Sequence, residues 1–304
     1  MAKPSRVTTA QARTGAHRRA LLLAAVLLVG VGSLIAAGAA RAQLVDQLVP
    51  QVLPVTVEAS GDTATVEVKL LSLELADLTL SFDDATGLSA SSLGVTAELL
   101  DPTATSLLAR LPDAQLNQLA GAFPLLVTIE PPASGGLSFD RTVRVEIHTH
   151  LLAYAPGSSY RLFKAPLGGE FRDITDEVAS GSVRARGTTG GFSQFLILAD
   201  LRETGAVIAS KVDWLRNRID LLPAGEQVAF GGYLDTVEAA VASGNYADAV
   251  TALDLFRARA ASRAGNQLDA TWQPGGTQEN HAGELISGAA TLRFSVAYLR
   301  DFGQ

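Results

Sequence analysis

A glutamate and two histidines fall at alternate positions in Glu146-Ile147-His148-Thr149-His150. On an extended strand alternate side chains leave by the same side, so these three share one face. Two imidazole nitrogens presented that way can take Zn²⁺, with Glu146 or a group from elsewhere in the chain completing the shell. A metal site here would be Glu146, His148 and His150 with zinc as its ion, while the leading expectation for the chain is no cofactor. A metal-dependent hydrolase built on that face is the corresponding enzymatic reading. The plainer expectation for the same residues is the wet face of a half-buried strand.

Other residues of the reactive kinds come without the partners that chemistry needs. Ser193 lies in Gly191-Phe192-Ser193-Gln194-Phe195, which begins like a nucleophile elbow but has Phe where the elbow requires Gly. The elbow also needs a sharp turn into a helix, whereas here an apolar strand pattern simply continues. The acids Asp83-Asp84, Asp173 and Asp176-Glu177 fall in turn-like stretches, where carboxylates commonly cap backbone N–H groups. Both tryptophans, Trp214 and Trp272, fall late in the chain, so the strand-rich part lacks the Trp platform that sugar-binding sheets present. Each is expected to pack in the core. No catalytic residue is assigned, and the leading expectation is a non-enzymatic binding or structural module. Its partner is an unknown protein or cell-envelope ligand, and a passive spacer is the remaining alternative.

The elements that would carry these residues are legible from the apolar rhythm. From Pro50 to about Leu201 the period is mostly two, broken at short intervals by Gly, Pro, Asp and Ser. The clearest strand is Thr142 to Leu151, with Val143, Val145 and Ile147 on the dry side. Further strands are expected over Val52–Ala59, Thr63–Leu70, Glu74–Phe82, Val95–Leu100, Leu125–Glu130, Ser159–Lys164, Glu170–Thr175, Ser182–Arg186 and Phe192–Ala199. Asp113–Ala120 reads as one or two helical turns with Leu116 and Leu119 inward. Beyond Asp200 the rhythm changes. Ile208, Val212, Leu215, Ile219 and Leu222 keep to one helical face, and Pro223 stops that helix. A second helix runs from Gly225 to Ala242 on Val228, Leu234, Val237 and Val241. A third runs from Tyr246 to Ala264 on Val250, Leu253, Phe256 and Ala260. The loop 273–280 precedes a last helix, His281–Phe302. The fold class expected is α+β in two domains: an antiparallel β-sandwich over residues 43–201 and a small antiparallel α-helical bundle over residues 202–304.

The amino end reads as a cleavable signal peptide over residues 1–42. Five basic residues precede the apolar run Ala20–Ala40, and Ala40-Arg41-Ala42 offers a small-x-small cleavage site. A membrane anchor and the twin-arginine route, suggested by Arg18-Arg19, are the alternatives. Cleavage removes six basic side chains and no acid, taking the formal net charge further below its value of −7. Such a surface repels phosphate backbones and anionic lipid, so neither nucleic acid nor, after cleavage, membrane is an expected partner. With no cysteine, neither a disulfide scaffold nor a lipoprotein anchor is available. The expected location is extracytoplasmic, in the periplasm or the medium.

Residues Gly244 to Phe256 read GNYADAVTALDLF, and a later helix contains Ala282-Gly283-Glu284-Leu285-Ile286. This part resembles the FIMAH module, a helical unit at the carboxyl ends of secreted bacterial proteins. It departs from the family's Phe-Ile-Asn-type run at Leu255-Phe256-Arg257-Ala258. The resemblance implies a helical C-terminal module and brings no catalytic residue. The same Gly-Asn-Tyr-Ala-Asp-Ala pattern is similar to half of a tetratricopeptide unit, although no second copy follows. In the strand-rich part, Arg161-Leu162-Phe163-Lys164, Phe171 to Thr175 and Gly190 to Ile197 resemble closing strands of immunoglobulin-like sandwiches in bacterial surface and secreted proteins. That likeness implies a spacer or a binder.

Overall fold

Proline at position 54 divides the first extended stretch, because it has no N–H to give to a ladder. On its two sides the chain enters different sheets, as β1 (Gln51–Leu53) and β2 (Val55–Ser60). These elements begin the part of the chain that the computed structural model describes, residues 51–303. The leader expected over residues 1–42 lies outside the described residues. There follow β3 (Thr63–Leu70), β4 (Leu73–Thr86), β5 (Val95–Leu99), the one-turn helix α1 (Thr105–Leu108), β6 (Asn117–Leu119), β7 (Leu125–Ile129) and β8 (Ser138–Ala153). The strand-rich part ends with β9 (Tyr160–Ala165), β10 (Arg172–Asp173), β11 (Thr175–Ala179), β12 (Ser182–Thr189) and β13 (Gln194–Asp200).

The strands form two antiparallel sheets. In one the order is β1-β5-β7-β13-β9-β10, with β6 also pairing β13. In the other it is β11-β12-β8-β4-β3-β2. Alternation explains most of the burial: Ala64, Val66 and Val68 of β3, Val143, Val145 and Ile147 of β8, and Val183 and Ala185 of β12 are all buried. β13 departs from this rule, since Phe195, Leu196, Ile197 and Leu198 are buried on both faces. Its outer side is closed by Leu107 and Leu111, which pack with Phe163, Phe171, Leu196 and Leu198. The helical turns expected over 113–120 are replaced by a turn and then β6. There Asn117 Nδ2 donates to the buried carboxylate of Asp200 at 2.9 Å, and Leu116 faces solvent. The strand expected over Glu170–Thr175 is two short pieces, β10 and β11.

The C-terminal part is helical: α2 (Thr204–Ile219), α3 (Ala224–Ala242), α4 (Tyr246–Arg263) and α5 (His281–Phe302). A two-residue strand, β14 (Thr271–Trp272), adds to β8 just before the last helix. The four helices share one apolar core. It takes Ile208, Val212, Leu215 and Ile219 from α2, Phe230, Leu234 and Val237 from α3, Leu253, Phe256 and Ala260 from α4, and Leu285, Ala289, Leu292 and Val296 from α5. Val228, expected in that core, is 79% exposed; Phe230 takes the inward position. Among the described residues no helix is long and apolar enough to cross a membrane.

Helix α5 also packs on β8, β11 and β12. Its approach is close because Gly190 and Gly283 carry no Cβ. A methyl at Gly283 would collide with the carbonyl of Arg141, and one at Gly190 would lie 2.7 Å from the backbone nitrogen of Glu284. Asn280 fixes the entry: its side-chain oxygen caps Gly283 N at 2.8 Å, and its Nδ2 donates to the carbonyls of Arg141 (2.7 Å) and Gly190 (3.0 Å).

Candidate functional site

The face predicted on β8 forms, with Glu146, His148 and His150 on one side of the strand. The ladders decide what each one meets. On β4, Asp77 lies opposite His148 and Thr79 opposite Glu146; on β12, Arg184 lies opposite His148 and Arg186 opposite Glu146. Glu146 is consumed by the arginines. Arg184 donates to it at 3.1 Å, and Arg186 Nε makes a short charge-assisted bond to its other oxygen. Partial burial works to raise the Glu146 carboxyl, but the two guanidinium groups outweigh it and hold it below the ordinary glutamate range.

The histidines turn instead toward Asp77. Its Oδ2 lies 3.6 Å from His148 Nδ1 and 3.1 Å from His150 Nε2. The imidazole rings are 4.5 Å apart, and Glu74 Oε1 stands 4.0 Å from His150 Nε2. His148 Nε2 is 2.7 Å from Ser182 Oγ; with Nε2–H donating there, the Nδ1 lone pair faces Asp77. Desolvation, followed by the charge of Arg184, lowers the His148 pKa and favours its neutral form. Thus two of the three predicted ligands converge, with Asp77 beside them where Glu146 was expected.

A second feature lies where α2 and α5 meet the β9–β10 edge. It is an open cleft of about 820 Å³. Apolar surface comes from Phe171, Phe192, Val207 and Trp214, and charge from Lys164, Arg172, Arg218 and Glu284. Glu284 anchors the charged side, accepting from Arg172 at 2.8 Å and lying 3.5 Å from Lys164 Nζ, which also donates to Thr189 at 2.6 Å. Burial pushes the Lys164 pKa down to about 8, an effect that the nearby Glu284 carboxylate only partly offsets. Burial alone would raise Glu284, yet Lys164, Arg172 and Arg218 together draw it below its usual value. The indole of Trp214 lies under two guanidinium groups, with Arg172 at 4.1 Å and Arg218 at 5.2 Å from the ring centroid. Trp214 is thus a half-buried wall of the cleft.

Behind that wall Lys211 is buried against Asp173 at 2.6 Å. It is held as well by Thr291 Oγ1 (2.6 Å), Ser295 Oγ (2.9 Å) and the carbonyl of Thr291 (3.2 Å). Of the acids considered from sequence, Asp84 is exposed and the others are engaged structurally. Asp83 accepts from Thr142 at 2.7 Å, Asp176 from Thr188 at 2.5 Å, and Glu177 from Arg144 and Arg186. Ser193 is buried, and its hydroxyl donates to Glu130. Trp272 is half-buried, stacked on Phe139 at 5.2 Å. His281 opens α5, apart from the β8 histidines. Sequence reasoning did not find Asp77, Lys164, Arg172 or Glu284. For Asp77 the signal was present in the polar face of β4, but only the strand pairing makes it usable.

Comparison with curated proteins and with solved structures gives no match. A family model does match over residues 31–300, spanning the strands, the β8 face and the cleft together. The chain belongs to that family, DUF6689, a family of unknown function.

Proposed function

We propose that this protein is a non-enzymatic, extracytoplasmic binding module whose ligand occupies the cleft between α2, α5 and the β9–β10 edge. The observation that carries the reading is the composition of that cleft. An aromatic wall faces a partly neutralised cation pair, within the several hundred Å³ that small-molecule sites enclose. Arg172 spends one N–H group on Glu284 and keeps others for an acceptor, while the half-buried Trp214 and Phe192 supply apolar contact. The fitting ligand is a small molecule with an apolar or planar body and an acceptor-rich end. The buried and half-buried charged groups of the cleft, Lys164, Arg172, Asp173, Lys211 and Glu284, are tied into ion pairs rather than set as nucleophile and base, which favours binding over turnover. The basic-then-apolar leader supports export. The carboxyl-terminal likeness to a module of secreted proteins points the same way.

Trp214 makes the test direct, because the chain has two tryptophans. In a Trp272→Phe variant the remaining indole reports on the cleft. Titration with envelope saccharides, short peptides and aromatic acids is expected to give a saturable fluorescence change with at least one class. Ser210→Phe, which fills the cleft from an exposed position on α2, is expected to abolish it. A Trp214 signal indifferent to all three classes, or a response untouched by Ser210→Phe, overturns the proposal.

A further inference from the structure

We propose that Asp77, His148 and His150 bind a divalent transition metal of the zinc class on the outward face of the second sheet, at a site separate from the cleft. Three side chains from two neighbouring strands offer one carboxylate oxygen and two imidazole nitrogens, all within 4.8 Å of one another. In a tetrahedral zinc shell with bonds of about 2.0–2.1 Å, neighbouring donors are separated by roughly 3.3 Å. The separations of 3.1 and 3.6 Å around Asp77 Oδ2 bracket that value. A shift of a χ angle brings the two nitrogens to the same spacing. Glu74 or a water takes the fourth position. Nitrogen donors select zinc, copper and nickel over calcium and magnesium, which prefer oxygen.

The surroundings fit this use. His148 is oriented through its other nitrogen by Ser182, the outer hydrogen bond that metal-binding histidines need to fix tautomer and ring plane. Arg184 lies opposite His148 in the ladder, and its charge would oppose a cation. It is drawn onto Glu146 instead. Glu146 therefore acts as a positioning residue that keeps the arginine off the metal, rather than as a ligand. The site stays open on one side, with His150 exposed, so exchange with solution metal needs no unfolding.

The test uses the untagged chain, stripped with chelator and dialysed against ZnCl₂. One zinc per chain is expected, and saturating metal raises the melting temperature by about 5–10 °C, because it cross-braces β4 and β8. His148→Ala with His150→Ala, and separately Asp77→Asn, are expected to weaken binding by at least about tenfold, and Ser182→Ala by about tenfold. Glu146→Gln still takes one zinc per chain, but more weakly than wild type and by a smaller factor than the ligand variants, because it loosens the hold on Arg184. Cobalt substitution reads the shell directly: intense visible bands mark a tetrahedral N₂O site, and their loss in Asp77→Asn assigns the oxygen. The histidines are exposed or half-buried, so unchanged circular dichroism of the variants is the folding control. The proposal is overturned if no zinc is retained. Zinc retained equally by the histidine double variant, or lost in Glu146→Gln but kept in Asp77→Asn, overturns it as well.

Discussion

Replacing Lys211 by Met tests a buried ion pair from one side. The ammonium and the carboxylate of Asp173 are 8% and 2% exposed, 2.6 Å apart. Without Lys211, Asp173 keeps the N–H of Thr175 at 2.8 Å and the field of Arg161 but loses its paired cation in a site nearly closed to water. Breaking a buried pair from one side costs about 3–5 kcal/mol, most of it the desolvation of the stranded charge. For a chain of this size, roughly 2–4 °C of melting temperature follows each kcal/mol, so the variant should melt about 6–20 °C lower. Removing both charges, as Lys211→Met with Asp173→Leu, leaves no stranded ion and should recover most of the loss. Urea unfolding followed by tryptophan fluorescence measures all three proteins, with an unchanged denaturant slope as the check on two-state behaviour. The acid limb adds a second reading. Burial tends to raise Asp173, but Lys211 and Arg161 hold it below the ordinary aspartate value. The wild-type contribution is therefore present above about pH 4 and is lost as pH falls through the lowered pKa. The gap between wild type and Lys211→Met should narrow there. A single variant that loses less than about 1 kcal/mol, or a double variant no better than the single, refutes the reasoning.

Other expectations are shorter. Gly283→Ala must push α5 away from the Arg141 carbonyl and should cost about 3 kcal/mol or more by urea unfolding. Gly232→Ala, on the exposed side of α3 with open space around it, should instead stabilise by roughly 0.5–1 kcal/mol. Phe230→Ala should cost about 3–5 kcal/mol and Val228→Ala under about 0.5, a contrast in chemical denaturation that fixes the face of α3. Lys164 gives a signal in base. Its pKa is about 8 folded against 10.5 for an ordinary lysine, so between those values the unfolded chain holds the proton that the folded one sheds. Stability from this group rises with pH across that window. The wild-type advantage over Lys164→Met should therefore grow by about 3 kcal/mol between pH 8 and pH 10.5.

The rhythm of β8 was readable because Val143, Val145 and Ile147 alternate cleanly with polar residues. Its neighbours were not, since Asp77 and Arg184 reach His148 only through strand pairing over long sequence separations. That is why Glu146 looked like a ligand: local spacing put it on the right face but could not show the guanidinium groups waiting there. Leu116 and Leu119 have helical spacing, yet Asn117 finds Asp200 and β13 runs on past its pairing with β7, so tertiary pairing wins over local pattern. In α3 the many alanines and glycines leave two plausible apolar faces, and the bulk of Phe230 selects one. The cleft was invisible for a further reason. Its charged residues come from β9, β10, α2 and α5, and each alone reads as ordinary surface.

The contribution of α5 to two separate charge sites sets the order in which the molecule can be completed. Glu284 answers Lys164 and Arg172, while Thr291 and Ser295 answer Lys211, and all three residues are synthesised after the groups they satisfy. A nascent chain that has not yet reached His281 lacks the carboxylate shared by Lys164 and Arg172, two hydroxyl partners of Lys211, and the helix that packs on β8 and β12. Docking of α5 is therefore a late locking step. Its rate should limit how soon the emerging polypeptide becomes resistant to proteases.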